Sequence, residues 1–368
     1  SGTVTIPVVF HVVYNTTTEN LNNSYLNAQI DQLNLCFARE NSDTTNLRSI
    51  FQSRAGASKI RFIIDQVIRY QTTMTSFDAT TGSGFANADL VKQTGSGGDD
   101  AVSPGTKLNI WICDLTKDGS DVLIGYAYPP AGAPNWPAGS EAPSPAFDGV
   151  VVDYTDVGGP AKNPIGYSSG FRGKAMVHEV GHYLGLRHIW GDDAGACPGG
   201  TGYKDDGIND TPITAENSNF DCNKVKNTCI ETTGDLPDMV ENYMDYSSES
   251  CQNTFTKLQV GAMEYVIDNI RTTVRVPNAI HETEKQQALV SVYPNPATHS
   301  LFIDAADKSY QTVQVRIVNT TGQNFLQATY KANGMMPEVD VQHLAPGMYF
   351  IELRYDNEAS VLRKFIKQ

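Results

Sequence analysis

The 368-residue chain contains no apolar run near the ~20 residues that a membrane-spanning helix needs. "IPVVFHVV", which starts at Ile6, is far too short. Positive charge is scarce: 27 Lys and Arg stand against 41 Asp and Glu, a formal net charge of −14. Affinity for a phosphate backbone comes from clustered Lys and Arg, so this balance excludes a nucleic-acid partner, and it suits calcium and an extracellular surface. No C-x-x-C pair occurs among the six cysteines, which argues against a zinc knuckle or a thioredoxin-like redox motif. Neither an initiator Met nor a charged-then-apolar leader opens the chain at Ser1, which leaves an earlier signal or pro-segment open.

What is present divides into two kinds of chain. The length allows two domains. "TIPVVFHVVY", "KIRFIIDQVI", "KLNIWICDL" and "FDGVVVDY" read as strands. Leu26, Ile30, Leu33 and Phe37 recur at helical spacing behind Asn22 and Asn23, which can cap. "YAYPPAGAPNWPAGSEAPSPAF" carries too much proline and glycine for regular structure. A closing helix is expected over "TKLQVGAMEYVIDNIRTTV", with Leu258, Met263, Val266 and Ile270 on its apolar face. The polar stretch 277–288 reads as a linker. Beyond it "SLFIDA", "TVQVRIVN", "LAPGMYFIEL" and "VLRKFIK" alternate as short strands with turns, the pattern of a small β-sandwich.

Cys197, Cys222, Cys229 and Cys251 fall in one loop-rich region and read as two disulfides formed in an oxidising compartment, with three pairings allowed. Cys36 and Cys113 lie apart; they either pair with each other or remain separate buried thiols.

The stretch with chemistry in it is "AMVHEVGHYLGLRHIWGD", residues 175–192. On a helix, His178 and His182 share one face and can reach one ion. Glu179 then lies beside the metal without having to bind it, where it can take a proton from a water acidified by zinc. His188 would point to the wrong side of an unbroken helix. Gly185 can take positive φ, end the helix and turn the chain back. Chance alone produces H-E-x-x-H-x-x-G-x-x-H in a chain of this length on the order of once in 10⁵ sequences. A purely structural zinc site would want a fourth protein ligand and would leave Glu179 without a task.

That extended motif resembles the metzincin metallopeptidases. The resemblance implies a methionine turn under the metal, which "NYMDY" supplies as Met244, with Tyr246 available to stabilise the tetrahedral intermediate. A buried methionine by itself is more often core filler. "HEVGHYLGLRHIWGD", "DDGINDTP" and "NYMDYSSESCQNTFT" closely resemble the pappalysin family within the metzincins, over most of residues 1–275. It implies disulfides Cys197 to Cys229 and Cys222 to Cys251, a zymogen, and calcium at Asp206 and Thr211, where the residues alone would suggest only a turn. It also places an acidic residue in the pocket for the side chain after the scissile bond. Pappalysins that prefer Arg or Lys carry an aspartate in this vicinity. Here Glu249 followed by Ser250 stands near that position, the alternative being a solvated surface carboxylate. Finally, "VYPNPATHSLFID", "IVNTTGQ", "LAPGMYFIEL" and "KFIKQ" resemble the C-terminal sorting domain of the type IX secretion system. The alternative is a generic binding sandwich.

Together these features imply an α+β metzincin-type catalytic domain over 1–276, with a mixed sheet, a zinc-binding active-site helix and an irregular disulfide-stapled C-terminal subdomain. A linker over 277–288 and a small all-β immunoglobulin-like sandwich over 289–368 follow. The expected protein is a secreted or outer-membrane-associated monomeric endopeptidase with one catalytic Zn²⁺ and structural Ca²⁺. It acts on protein or peptide substrates with Arg or Lys after the scissile bond, and its C-terminal domain meets the secretion machinery. The rival expectation is an extracellular adhesion protein that retains metal without turnover, against which Glu179 speaks.

Overall fold

The computed structural model describes residues 2–78, 85–115, 123–192, 196–276, 290–305, 312–319, 323–331, 337–355 and 360–368. They form two compact units, Ser1–Val276 and Pro277–Gln368.

The first unit is built on a five-stranded sheet in the order β3-β1-β4-β6-β5. Strand β1 (Val4–Tyr14) is buried throughout its middle, as expected of a strand covered on both faces. Helix α1 (Asn23–Ala38) follows; the Asn22 side chain accepts from Ser24 N at its start, and Arg39 in the left-handed region ends it. After the short β2 (Ala55–Gly56) come β3 (Ile60–Gln71) and β4 (Leu108–Cys113), both parallel to β1. Strand β5 (Gly125–Ala127) is the exception: it runs antiparallel to β6 (Val150–Asp153) and forms one edge of a mixed sheet. It takes in Tyr126 and Ala127, the first residues of the stretch expected to be irregular, because pairing with Val151 and Val150 supplies what local propensity does not. The prolines at 129 and 130 then stop it.

Helix α2 (Ala175–Tyr183) packs on β5 and β6 with all nine residues buried. The long irregular stretch that follows is pinned by disulfides Cys197–Cys229 and Cys222–Cys251, while Cys36 and Cys113 are separate buried thiols. Strand β7 (Phe255–Thr256) pairs with β2, and α3 (Lys257–Asn269) opens on a capping box between Thr256 and Gln259. Its buried face is Val260, Met263, Val266 and Ile267, so the expected face was rotated: Leu258 is 48% exposed. One core joins the sheet to all three helices through Phe10, Leu33, Val180 and Met263.

The second unit is all β. Strands β8 (Val290–Tyr293), β9 (Ser300–Ala305), β10 (Thr312–Asn319), β11 (Asn324–Lys331), β12 (Glu338–Asp340), β13 (Gly347–Tyr355) and β14 (Ser360–Lys367) form antiparallel sheets ordered β11-β10-β13-β14 and β12-β9-β8. The two sheets share a core that includes Leu301, Ile303, Val315, Val339 and Ile351. Strands β8 and β12 are four and three residues long, too short to show a period, and β11 lacks a strong alternation, so none of the three is legible in the sequence. The linker expectation falls on residues 277–288, outside the described residues.

Candidate active site

The geometry of α2 follows from where it stops. Its last helical residue is Tyr183; Gly185 takes φ 91°, its N–H donates to His182 O at 2.8 Å, and Leu186 N–H donates to Gly181 O at 3.0 Å. This is the double hydrogen bond of a left-handed helix terminus. A side chain at 185 would be strained by that φ and would also meet Val266 at 2.9 Å. The reversal brings His188 back to the helix face that carries His178 and His182.

The three Nε2 atoms lie 3.0, 3.0 and 3.1 Å apart. These are not hydrogen bonds. His178 Nδ1 is 2.7 Å from Tyr243 O and His182 Nδ1 is 2.8 Å from Leu186 O. His188 Nδ1 faces Asp192 Oδ1. Each of these partners is an acceptor, so every ring carries its proton on Nδ1 and turns an Nε2 lone pair inward. Burial and the neighbouring rings push His178 well below its ordinary pKa, and burial first pushes His182 down to about 3, so both stay neutral. Three lone pairs converging within hydrogen-bond distance repel unless a cation sits among them. Zn–N bonds of about 2.05 Å in a tetrahedral set would space the nitrogens about 3.3 Å apart, close to what is found. The residues fit a single zinc ion.

Glu179 is buried beside this triad, and burial pushes its carboxyl up to about 8. A cation held by the histidines would draw it back down. Strand β5 passes directly over it: a Cβ on Gly125 would meet Glu179 Cγ at 2.9 Å. Met244 is fully buried beneath the helix, where a Cβ on Gly181 would meet its sulfur at 2.5 Å. The methionine segment also holds the histidines, because Tyr243 O fixes His178 and Met244 O accepts from Ile189 N at 3.4 Å. The Tyr246 ring stands 4.7 Å from that of His188 and 5.5 Å from that of His178.

Some contributors are missed by sequence reasoning. Asp192 orients His188, with Gly191 (φ 67°) and Asp192 (φ 58°) turning the chain to bring it there; the i, i+4 spacing in "HIWGD" was the available signal. Trp190 stacks on His188 at 4.2 Å. Trp136 donates to Gly185 O at 3.0 Å and sets its ring edge-on to His182, a contact that nothing local announces.

Three expected site residues stand apart from the triad. Asp206 is buried; its Oδ1 accepts from Ile208 N at 2.9 Å, and the Thr211 hydroxyl lies within 3.2 Å of both its oxygens. Burial, and then Asp205, push the Asp206 carboxyl well above its ordinary range. Glu249 lies against the start of α2. Its carboxylate accepts from the backbone N–H of Arg172, Lys174 and Ala175, just ahead of and at the start of α2. In this fold the first amides of the helix, left without partners by its own turns, take the Glu249 carboxylate.

Three nitrogen donors rather than four, next to a carboxylate that is not needed as a ligand, suit hydrolysis better than a closed structural centre, and the class they define is the zinc-dependent metallopeptidases. More narrowly, the chain belongs to the pregnancy-associated plasma protein-A peptidase family, the pappalysins, whose pattern matches residues 99–268. Residues 291–368 match the secretion system C-terminal sorting domain. Mature mirolysin of Tannerella forsythia, solved with a cleaved peptide, is 33% identical with a TM-score of 0.62, over 75% of this chain and 97% of that one. Its promirolysin is 32% identical at the same TM-score, over 75% and 85%. An extracellular metalloprotease of Arthroderma benhamiae is 26% identical over 276 residues, 74% of each chain. The protein is a secreted or extracellular metallopeptidase.

Proposed function

We propose that the chain is an endopeptidase in which His178, His182 and His188 hold one zinc ion and Glu179 is general base and then general acid. The observation that carries this reading is the convergence of three Nε2 lone pairs, each fixed by an acceptor on the far side of its ring. Zinc, when bound, supplies Lewis-acid chemistry by acidifying a water and polarising a carbonyl. Glu179 accepts the proton of the attacking water and delivers it to the leaving amine. Its burial favours the protonated form and so suits that second transfer. Tyr246 donates its hydroxyl proton in a hydrogen bond to the oxyanion that develops on the substrate. Strand β5, at the sheet edge above Glu179, offers backbone groups to an extended peptide. No covalent acyl-enzyme forms. The test is hydrolysis of a quenched protein substrate: cleavage at internal bonds, abolished by a chelator and restored by zinc, is expected, and cleavage that survives the chelator would refute the reading.

Calcium at Asp206 and Thr211 stabilises the segment after α2, supported by a buried carboxylate in an oxygen-rich loop. Arg or Lys is preferred after the scissile bond, supported by the net charge of −14. The chain is made as a zymogen and works as a monomer. The domain over 289–368 is an immunoglobulin-like sandwich that engages the secretion machinery and adds nothing to turnover.

A further inference from the structure

Helix α2 begins without a cap of its own, since Lys174 makes no side-chain capping bond. Two carboxyls from distant parts of the chain take its first amides instead. Glu249 accepts from Arg172 N, from Lys174 N at 3.1 Å and from Ala175 N at 3.0 Å. Asp156 accepts from Gly173 N at 2.9 Å and from Ala175 N at 3.0 Å. One oxygen of each carboxyl therefore lies 3.0 Å from the same nitrogen, with Asp156 fully buried and Glu249 9% exposed. Two ionised carboxylates placed like this would repel strongly and neither would be hydrated. One negative charge, in contrast, is favoured at a helix N-terminus.

We propose that Asp156 and Glu249 share one proton and act as a single, singly charged cap that positions the first turn of α2, and with it His178 and Glu179. Both are positioning residues. Asp156 arrives three residues after β6 and Glu249 five residues after Met244, so the pair ties the sheet and the methionine turn to the start of the helix. Burial and the adjoining Glu249 hold the Asp156 carboxyl well above its usual range. The other charged groups around the pair leave its single charge in place. The Lys174 ammonium donates to Glu249 O at 2.8 Å and pairs with Asp43 at 2.6 Å. The Arg172 guanidinium lies over the Tyr167 ring at 3.8 Å. From α1 and the methionine turn come the Cys36 thiol, pushed by burial up to about 12, and the Tyr243 phenol, pushed up by burial, so both stay neutral.

The catalytic consequence rests on the roles proposed for His178 and Glu179; the proton-sharing itself does not, and the experiment separates them. In the full chain, Asp156→Asn and Glu249→Gln each replace the shared proton by an amide N–H while keeping one charge at the cap. Both variants should fold, bind zinc and hydrolyse peptide within about threefold of the parent near neutral pH. In the parent the folded pair keeps a proton that the unfolded chain loses near pH 4. The stability that this proton contributes is full below that pH and is lost as pH rises through the folded value. An amide has no such proton to lose. The melting temperature of each single variant should therefore gain on the parent steadily as pH climbs above about 4. The double variant, with no charge at the cap, should lose about tenfold in kcat with KM and zinc content close to the parent. A melting-temperature difference that is flat with pH overturns the proposal, as does a single variant that fails to fold. A Glu249→Gln variant that alone relaxes selection after the scissile bond would return Glu249 to the substrate pocket and overturn it too.

Discussion

Residues 175–188 and residues 197–254 serve the same three histidines by opposite means. The first segment is a short helix packed on β5 and β6, and its ligands are set by helical spacing plus one left-handed glycine. The second has no helix or named strand before β7. It is held by two disulfides and by hydrogen bonds from distant parts of the chain: Arg48 donates to both carboxylate oxygens of the fully buried Glu241 at 2.7 Å and to Asp238 O at 2.6 Å. From this strap come the carbonyl that fixes His178, the methionine floor, Tyr246 and the Glu249 cap. Donor spacing is thus written locally, whereas the surface on which the donors rest depends on contacts far apart in sequence. Damage to the helix should remove the chemistry, and damage to the strap should first remove stability.

The largest effect is expected in the helix segment: His188→Ala should lose zinc and all measurable hydrolysis while secondary structure, followed by circular dichroism, persists. In the strap, Cys222→Ser with Cys251→Ser opens a 29-residue span and should cost about 3 to 4 kcal/mol in denaturant unfolding, with zinc-loaded turnover kept at low temperature. Loss of turnover without loss of stability would erase the distinction. Between the two regions, Asp192→Asn removes the charge that orients His188 and should weaken zinc binding by about 10- to 100-fold in chelator competition. The smallest effect is expected from Thr211→Val: it should abolish a modest calcium-dependent rise in melting temperature and leave zinc content alone, and a calcium response that persists would dismiss the loop as the site.

The same division explains what the sequence reveals. Strands β1, β3, β4 and β6 and helix α1 are legible because unbroken apolar runs and 3.6-residue spacing reflect burial of the segment itself. The histidines and Glu179 are legible because their spacing matches one helix turn and its glycine reversal. Strand β5 is not, since three residues running into two prolines gain their structure from β6. Nor is the buried face of α3, where Leu258 lies at the exposed first turn although its apolarity suggests otherwise. Asp156 and Glu249 are 93 positions apart, and neither shows in sequence that it meets the amides ahead of α2.

The most direct measurement is zinc content and peptide turnover on the same preparation of Glu179→Ala. If Glu179 moves protons and the histidines alone hold the metal, zinc per chain should equal that of the parent while kcat/KM falls by about 10²- to 10⁴-fold. Turnover within tenfold of the parent, or loss of the zinc, would contradict that assignment.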